Sequence, residues 1–211
     1  MRNFDYSKLV TRTWDNEILL YVAKIHEYKG KQELYIRQKP VELNRLVQIA
    51  KVQSTEASNR IEGIVTTNSR LKQLVEDKTT PQNREESEIL GYRNVLNLVH
   101  ENYSMIPVRP NYILQMHRDL LKYTSLSYGG QFKTTPNEID AMLPNGERQV
   151  LFRPLEPYET PDAIAMICES YQRTLEKEQV DPLILIPCFI LDFLCIYPFN
   201  DGNGRMSRLL T

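Results

Sequence analysis

From Leu183 to Ile196 the chain reads Leu-Ile-Leu-Ile-Pro-Cys-Phe-Ile-Leu-Asp-Phe-Leu-Cys-Ile, a stretch interrupted by a single charge, Asp192. A helix that is apolar all round belongs in the middle of a domain. This run therefore predicts a central buried helix, opened by Asp181 and Pro182 as cap and first-turn pair. A segment leaving such a helix is delivered to a fixed place. Here that segment is a turn, Tyr197-Pro198-Phe199-Asn200-Asp201-Gly202-Asn203-Gly204, leading into a helix that carries Arg205 and Arg208. Helix, turn and second helix are expected to form one rigid platform.

The turn suits an anion. Gly202 and Gly204 permit backbone angles that aim successive N–H groups at one point, and the helix behind them adds its positive end. Arg205 and Arg208 are neighbours on one helical face and can fork onto phosphate oxygens from the same side. Asp201 supplies one hard oxygen ligand, the usual protein share of a Mg²⁺ site beside phosphates. On residues alone, Asp-Gly-Asn-Gly is also compatible with an ordinary turn. A calcium loop is excluded, because Met206 stands where such a loop needs glycine and the chain ends before its terminal Glu. A Walker-type Gly-x-x-x-x-Gly-Lys is absent.

A second informative stretch is Ser58-Asn59-Arg60-Ile61-Glu62-Gly63, which ends an apolar stripe running from Leu43 through Leu46, Val47 and Ala50. Ser58 and Glu62 share a face, and Gly63 holds the position of a C-cap. A carboxylate in the last turn of a helix faces the negative end of the dipole, so either a cation answers it or it is simply exposed.

Pro198, Phe199, Asp201, Gly202, Asn203, Gly204, Arg205 and Arg208 match the signature His-Pro-Phe-x-Asp-Gly-Asn-Gly-Arg-x-x-Arg, and in this the chain resembles the Fic family of the Fic/DOC superfamily. The resemblance implies a mainly helical, all-α Fic fold with one small β-hairpin flap. It implies transfer of AMP from ATP to a hydroxyl of a target protein, with Asp201 holding Mg²⁺. It further implies that Gly202, Asn203 and Gly204 cradle the phosphates, that Arg205 and Arg208 bind the triphosphate, and that Phe199 anchors the turn in the core. Ser58 to Gly63 resembles the family's inhibitory-helix motif, in which the Glu, here Glu62, pairs with the second signature arginine, here Arg208, and obstructs the γ-phosphate.

One position departs. Tyr197 stands where the signature has the His that serves as general base, a role that needs a pKa near the working pH. A phenol of pKa ≈ 10 is only ~0.1 % ionised at pH 7, and full ionisation would require about 4 kcal/mol of environmental shift. Two arginines nearby would lower that pKa and burial would raise it. Impaired transfer is expected. The alternatives are a catalytically dead module that binds nucleotide or protein, and a Tyr197 that itself takes the nucleotide.

The remaining pattern is helical up to residue 121. Helices are expected from Trp14 to Glu27 with Gly30 as the stop, from Pro40 to Gly63, from Asn68 to Glu76, from Arg84 to Asn102 and from Pro110 to Leu121. Thr160 and Pro161 predict the cap and first turn of a helix reaching about Glu178. Between Tyr128 and Pro154 the rhythm changes, and Asn145-Gly146 predicts a hairpin with a two-residue turn. The resemblance makes this hairpin the flap that docks a target segment as an added strand, with Lys133, Thr134, Thr135, Asn137 and Ile139 as docking residues. His26, His100 and His117 lack ligand spacing and read as surface or core-edge residues.

We divide the chain into a helical region, 1–80, containing the inhibitory helix, and a Fic core, 81–211. The last helix stops two turns in, which predicts a truncated core with loosely packed arginines. A formal net charge of -1 excludes a general nucleic-acid footprint. No apolar run has membrane-spanning length, so no membrane partner is expected. Cys168, Cys188 and Cys195 lack zinc spacing, and as small buried thiols point to a reducing, cytoplasmic location. The expected partners are ATP and a target protein, with a homo-oligomer left open.

Overall fold

The computed structural model describes residues 4–211. It is built almost wholly of helices, with one two-stranded antiparallel sheet among the described residues. The α-helices are α1 (Asn16–Gln38), α2 (Pro40–Ile61), α3 (Asn68–Val75), α4 (Arg84–Asn102), α5 (Pro110–Leu120), α6 (Thr160–Glu176), α7 (Pro182–Ile196) and α8 (Asn203–Leu209). The strands are β1 (Ile139–Met142) and β2 (Arg148–Phe152). The all-α reading with one hairpin holds.

The core gathers Val95 of α4, Ile113 and Leu120 of α5, Ile164 and Ile167 of α6, Phe189 and Phe193 of α7, and Met206 of α8. α7 is central, with Leu185, Phe193 and Ile196 wholly buried, but Leu191 is 56 % exposed, so the helix is not covered on every side. α8 is short yet well packed, and Met206 is fully buried. The looseness expected of a two-turn helix does not occur, because α8 lies against α7, α4 and α2. A smaller cluster of Leu71, Leu74 and Ile89 joins α3 to α4. Arg70 and Glu86 reinforce that joint at 2.5 Å, and the hydrogen-bonded guanidinium of Arg70 holds the Glu86 pKa down to about 2.

Three local expectations need correction. Gly30 does not end the first helix, which runs on to Gln38. A mid-helix glycine costs about 1 kcal/mol, and here Glu27 and Lys31 pair across it at 2.5 Å. The break falls instead at Lys39, outside the helical region at φ −138° and ψ 58°, because Pro40 at the first position of α2 disfavours helical angles before it. Thr160 is not a cap. A 3₁₀ turn, Pro157–Glu159, feeds directly into α6, and the Thr160 hydroxyl donates to the Glu156 carbonyl.

The hairpin turn also differs. Gly146 N–H donates to Leu143 O (2.9 Å) and Leu143 N–H to Glu147 O (2.8 Å), closing a three-residue loop, Pro144-Asn145-Gly146. A two-residue turn at Asn145-Gly146 would need Pro144 to donate an N–H across to Glu147, and proline has none, so the closing pair moves out to Leu143. Gly146, at φ 84°, takes the left-handed bulge position instead. α2 ends as expected, with Gly63 at φ 76°. Cys168 is buried, Cys188 and Cys195 are half-buried, and all three are free thiols. No helix among the described residues is long and apolar enough to cross a membrane.

Candidate functional site

The site begins where α7 stops. Tyr197 caps that helix in the left-handed region, at φ 52° and ψ 64°, a conformation that costs a non-glycine residue of order 1–3 kcal/mol and persists only when its surroundings impose it. They do. Tyr197 N–H reaches Phe193 O at 2.9 Å, and Lys133 brackets the residue, its backbone N–H donating to Pro198 O (2.8 Å) and its Nζ to Ile196 O (3.1 Å). An ammonium on the last carbonyl of α7 also meets the negative end of that helix.

The next residues are fixed as firmly. Asn203 clasps the Phe199 peptide, accepting from its N–H at 2.9 Å and donating to its carbonyl at 2.7 Å. Asn137 Nδ2 donates to the same carbonyl at 3.2 Å. Phe199 is fully buried, as expected of an anchor, and its ring stacks on His117 with centroids 3.7 Å apart. The Asn203 side chain is thus engaged inside the turn, and only its backbone is available to an anion.

Asp201 sits beyond this clasp. Its Oδ1 accepts from Gly202 N–H at 2.6 Å and lies 3.5 Å from Arg205 Nη2. Arg205 is buried and donates through Nη1 to Glu88 Oε2 at 2.8 Å, while Arg84 holds the other Glu88 oxygen at 2.9 Å. Arg208 turns elsewhere. Its Nε donates to Ser58 Oγ (2.7 Å), and its Nη2 to Ser58 O (3.0 Å) and Glu62 Oε1 (2.6 Å). The two arginines therefore do not fork from one side, as their spacing suggested. The buried Glu88 of α4 requires a cation and takes Arg205, leaving Arg208 for α2.

Glu62 does more than pair with Arg208. A Cβ placed on Gly204 would collide with Glu62 Oε1, so the carboxylate lies directly on the backbone of the first turn of α8. An acidic group already rests where the turn was expected to receive an anion. The cation anticipated near Glu62 is Arg208.

The electrostatics of Tyr197 run against ionisation. Burial raises its pKa above the ordinary phenol value, and the charges of Glu62 and Asp201 raise it further. The arginines expected to lower it are each answered by a carboxylate. Burial pulls Lys133 down to about 8, opposed by Glu156.

Of the expected docking residues, Lys133 is 2 % exposed and bonds inward with Asn137, whereas Thr134 and Thr135 are exposed and Ile139 is half-buried on β1. Two residues of the site are not marked by the sequence motifs. Glu88 carries no signal beyond its place on α4. His117 is not at the surface or the core edge but wholly buried. Its position on the apolar stripe with Ile113, Met116 and Leu120 is the available signal. Its Nδ1 accepts from Gly130 N–H at 3.0 Å and its Nε2 meets Asp201 O at 3.1 Å. Burial, aided by Arg205, lowers its pKa to about 4.

Both the sequence and the fold have counterparts among known proteins. Residues 107–211 match the model of the Fic/DOC family. The chain is 25 % identical over 182 residues to Protein adenylyltransferase Fic of Drosophila erecta, covering 83 % of this chain and 34 % of that protein. It is 26 % identical over 196 residues to the Drosophila melanogaster protein of the same name, covering 90 % and 35 %. A Fic domain containing signaling protein from Bacteroides thetaiotaomicron superposes with a TM-score of 0.71 at 26 % identity, covering 82 % of this chain and 64 % of that one. A Fic family protein from Desulfovibrio desulfuricans has the same fold, with a TM-score of 0.72 at 22 % identity over 94 % of this chain and 57 % of its own. The chain belongs to the Fic/DOC family. It spans about a third of the length of the Drosophila relatives.

Proposed function

We propose that this chain is a Fic-type protein adenylyltransferase module, which transfers AMP from ATP to a Ser, Thr or Tyr hydroxyl of a target protein. In this reading Glu62 restrains the module and Tyr197, at the position of the signature His, impairs it. The observation that carries the proposal is the Glu62 carboxylate lying on Gly204 and 2.6 Å from Arg208. A carboxylate held by a phosphate-type cradle occupies the space of ATP's terminal phosphate. The activity named for the Drosophila relatives supports the reaction class.

Each residue then has a task. The amides of Asn203 and Gly204 orient the polyphosphate, the Gly202 N–H expected to join them being engaged by Asp201 Oδ1, and Arg208, once released by Glu62, binds its distal end. Arg205 holds Asp201 while anchored on Glu88, and adds its charge from below. Asp201 fits Mg²⁺, which takes one or two carboxylates with the rest of its shell from phosphate and water; no group of three or more acidic, His or Cys ligands exists among the described residues. Mg²⁺, when bound, neutralises charge on the phosphates. The unpaired edge of the hairpin holds the target segment as an added strand, bringing its hydroxyl toward Tyr197. Residues 1–80 supply the restraint and 81–211 the transfer core.

A neutral, half-buried phenol is a poor proton acceptor, and this favours a second reading: a nucleotide- or protein-binding Fic module without transfer activity. It also weighs against Tyr197 as a nucleophile. Incubation with labelled ATP and Mg²⁺ separates these readings across the wild type, Glu62→Gly, Tyr197→His and the double variant. Restoring a positioned base is worth about 10²–10⁴ in rate, so the double variant should label itself or an added protein, well above either single variant. A silent double variant that still binds nucleotide tightly would favour the second reading. An AMP adduct on wild-type Tyr197, read by mass spectrometry, would revive the nucleophile.

A further inference from the structure

We infer that His117 is a positioning residue, held as the Nε2–H tautomer, which ties the root of the hairpin to the turn that carries Asp201. The two partners of the ring require this. Gly130 N–H points at Nδ1 at 3.0 Å, so Nδ1 carries a lone pair and no proton. The Asp201 carbonyl lies 3.1 Å from Nε2 and can only accept, so Nε2 carries the proton. The opposite tautomer would set donor against donor and acceptor against acceptor at both ends. The third restraint is the ring itself, stacked on Phe199 at an interplanar angle of 11°.

Neither partner is incidental. Gly130 begins the segment that bonds into the motif turn again through Lys133 and Asn137, before β1 starts at Ile139. Asp201 presents its carboxylate from a peptide whose carbonyl His117 holds, while Gly202 N–H and Arg205 hold Oδ1. His117 therefore fixes the backbone from which Asp201 reaches outward. A ligand's carboxylate is kept in place by such supporting bonds. The consequence for Mg²⁺ rests on the reading of Asp201 proposed above, whereas the tautomer and the tie to Gly130 do not.

Three substitutions separate the two bonds. His117→Gln places an amide nitrogen where Nε2 was and keeps the Asp201 bond. His117→Asn keeps an acceptor near Nδ1 and with it the Gly130 bond. His117→Phe keeps only the stacking. On a Glu62→Gly background, calorimetric titration with ATP, with Mg²⁺ or with a chelator, reads the effect. His117→Phe and His117→Asn should weaken Mg²⁺·ATP binding roughly three- to tenfold, the scale of one lost hydrogen bond. His117→Gln should stay near the parent, and metal-free ATP should bind all of them alike. Equal losses for all three variants, with and without metal, would leave His117 a packing residue and overturn the inference. Nitrogen-15 spectra of the unsubstituted protein near pH 7 supply the independent arm: a proton on Nε2 and a protected Gly130 amide are expected, with that protection lost in His117→Gln and kept in His117→Asn. A proton found on Nδ1 would overturn the assignment. If Glu62→Gly binds no nucleotide at all, the proposed function fails, and the spectra and Gly130 exchange still decide the role of His117.

Discussion

Arg205 and Arg208 leave the same short helix three residues apart and meet carboxylates in opposite circumstances. Arg205 and Glu88 are 1 % and 4 % exposed, and Glu88 is held on its second oxygen by Arg84. The Arg208 and Glu62 side chains are 29 % and 36 % exposed. Burial makes the first pair hard to break, because losing one partner strands a charge in the interior. Exposure makes the second easy to break, since water and salt compensate both ions. One contact anchors α8 to α4; the other joins α2 to α8 and, in the function proposed above, is a latch that a competing polyphosphate displaces. A restraint meant to be released has to be of the second kind.

The contrast can be broken from either side. Glu88→Ala should destabilise the fold by about 3–5 kcal/mol, read by urea unfolding, because buried Arg205 loses its close carboxylate and keeps only the longer contact to Asp201 at 3.5 Å. A loss below about 1 kcal/mol would place this pair in the same class as the latch. Lys133 gives a smaller, pH-dependent effect. Its pKa lies at about 8 in the folded protein, below the ordinary lysine value of ≈ 10.4 expected on unfolding. The unfolded chain therefore binds the extra proton between those values, and this residue's contribution to stability rises as pH rises across that window. Lys133→Met should flatten that part of the stability profile relative to the wild type, and an unchanged profile would mean that the buried ammonium is not strained. Glu62→Ala should cost the fold the least, at most about 1 kcal/mol and less in high salt. A loss several times larger would make Glu62 a structural member rather than a latch.

Much of this arrangement is legible in the residues. The apolar run of α7 places the turn, the glycines and arginines mark its chemistry, and the spacing of Ser58 and Glu62 with Gly63 marks the end of α2. Long-range pairing is what the residues hide. Glu88 lies more than a hundred positions from Arg205, and nothing local distinguishes it from the solvated glutamates of its helix. Helical spacing puts Arg205 and Arg208 on one face but does not say which partner draws each guanidinium away. Lys133 has the sequence position of a flap residue, yet the uncapped carbonyls of α7 draw it inward. Gly30 signals a stop that Pro40 overrules, because a glycine only weakens a helix while a proline removes a donor and restricts its neighbour.

In the proposed function, Glu62 occupies the cradle that receives a polyphosphate. Calorimetric titration of Mg²⁺·ATP into the wild-type chain and into Glu62→Gly tests it most directly. Glu62→Gly should bind roughly tenfold or more tightly, the scale of a typical coupling between two ligands of one site. Equal affinities, or binding lost when Glu62 is removed, would contradict it.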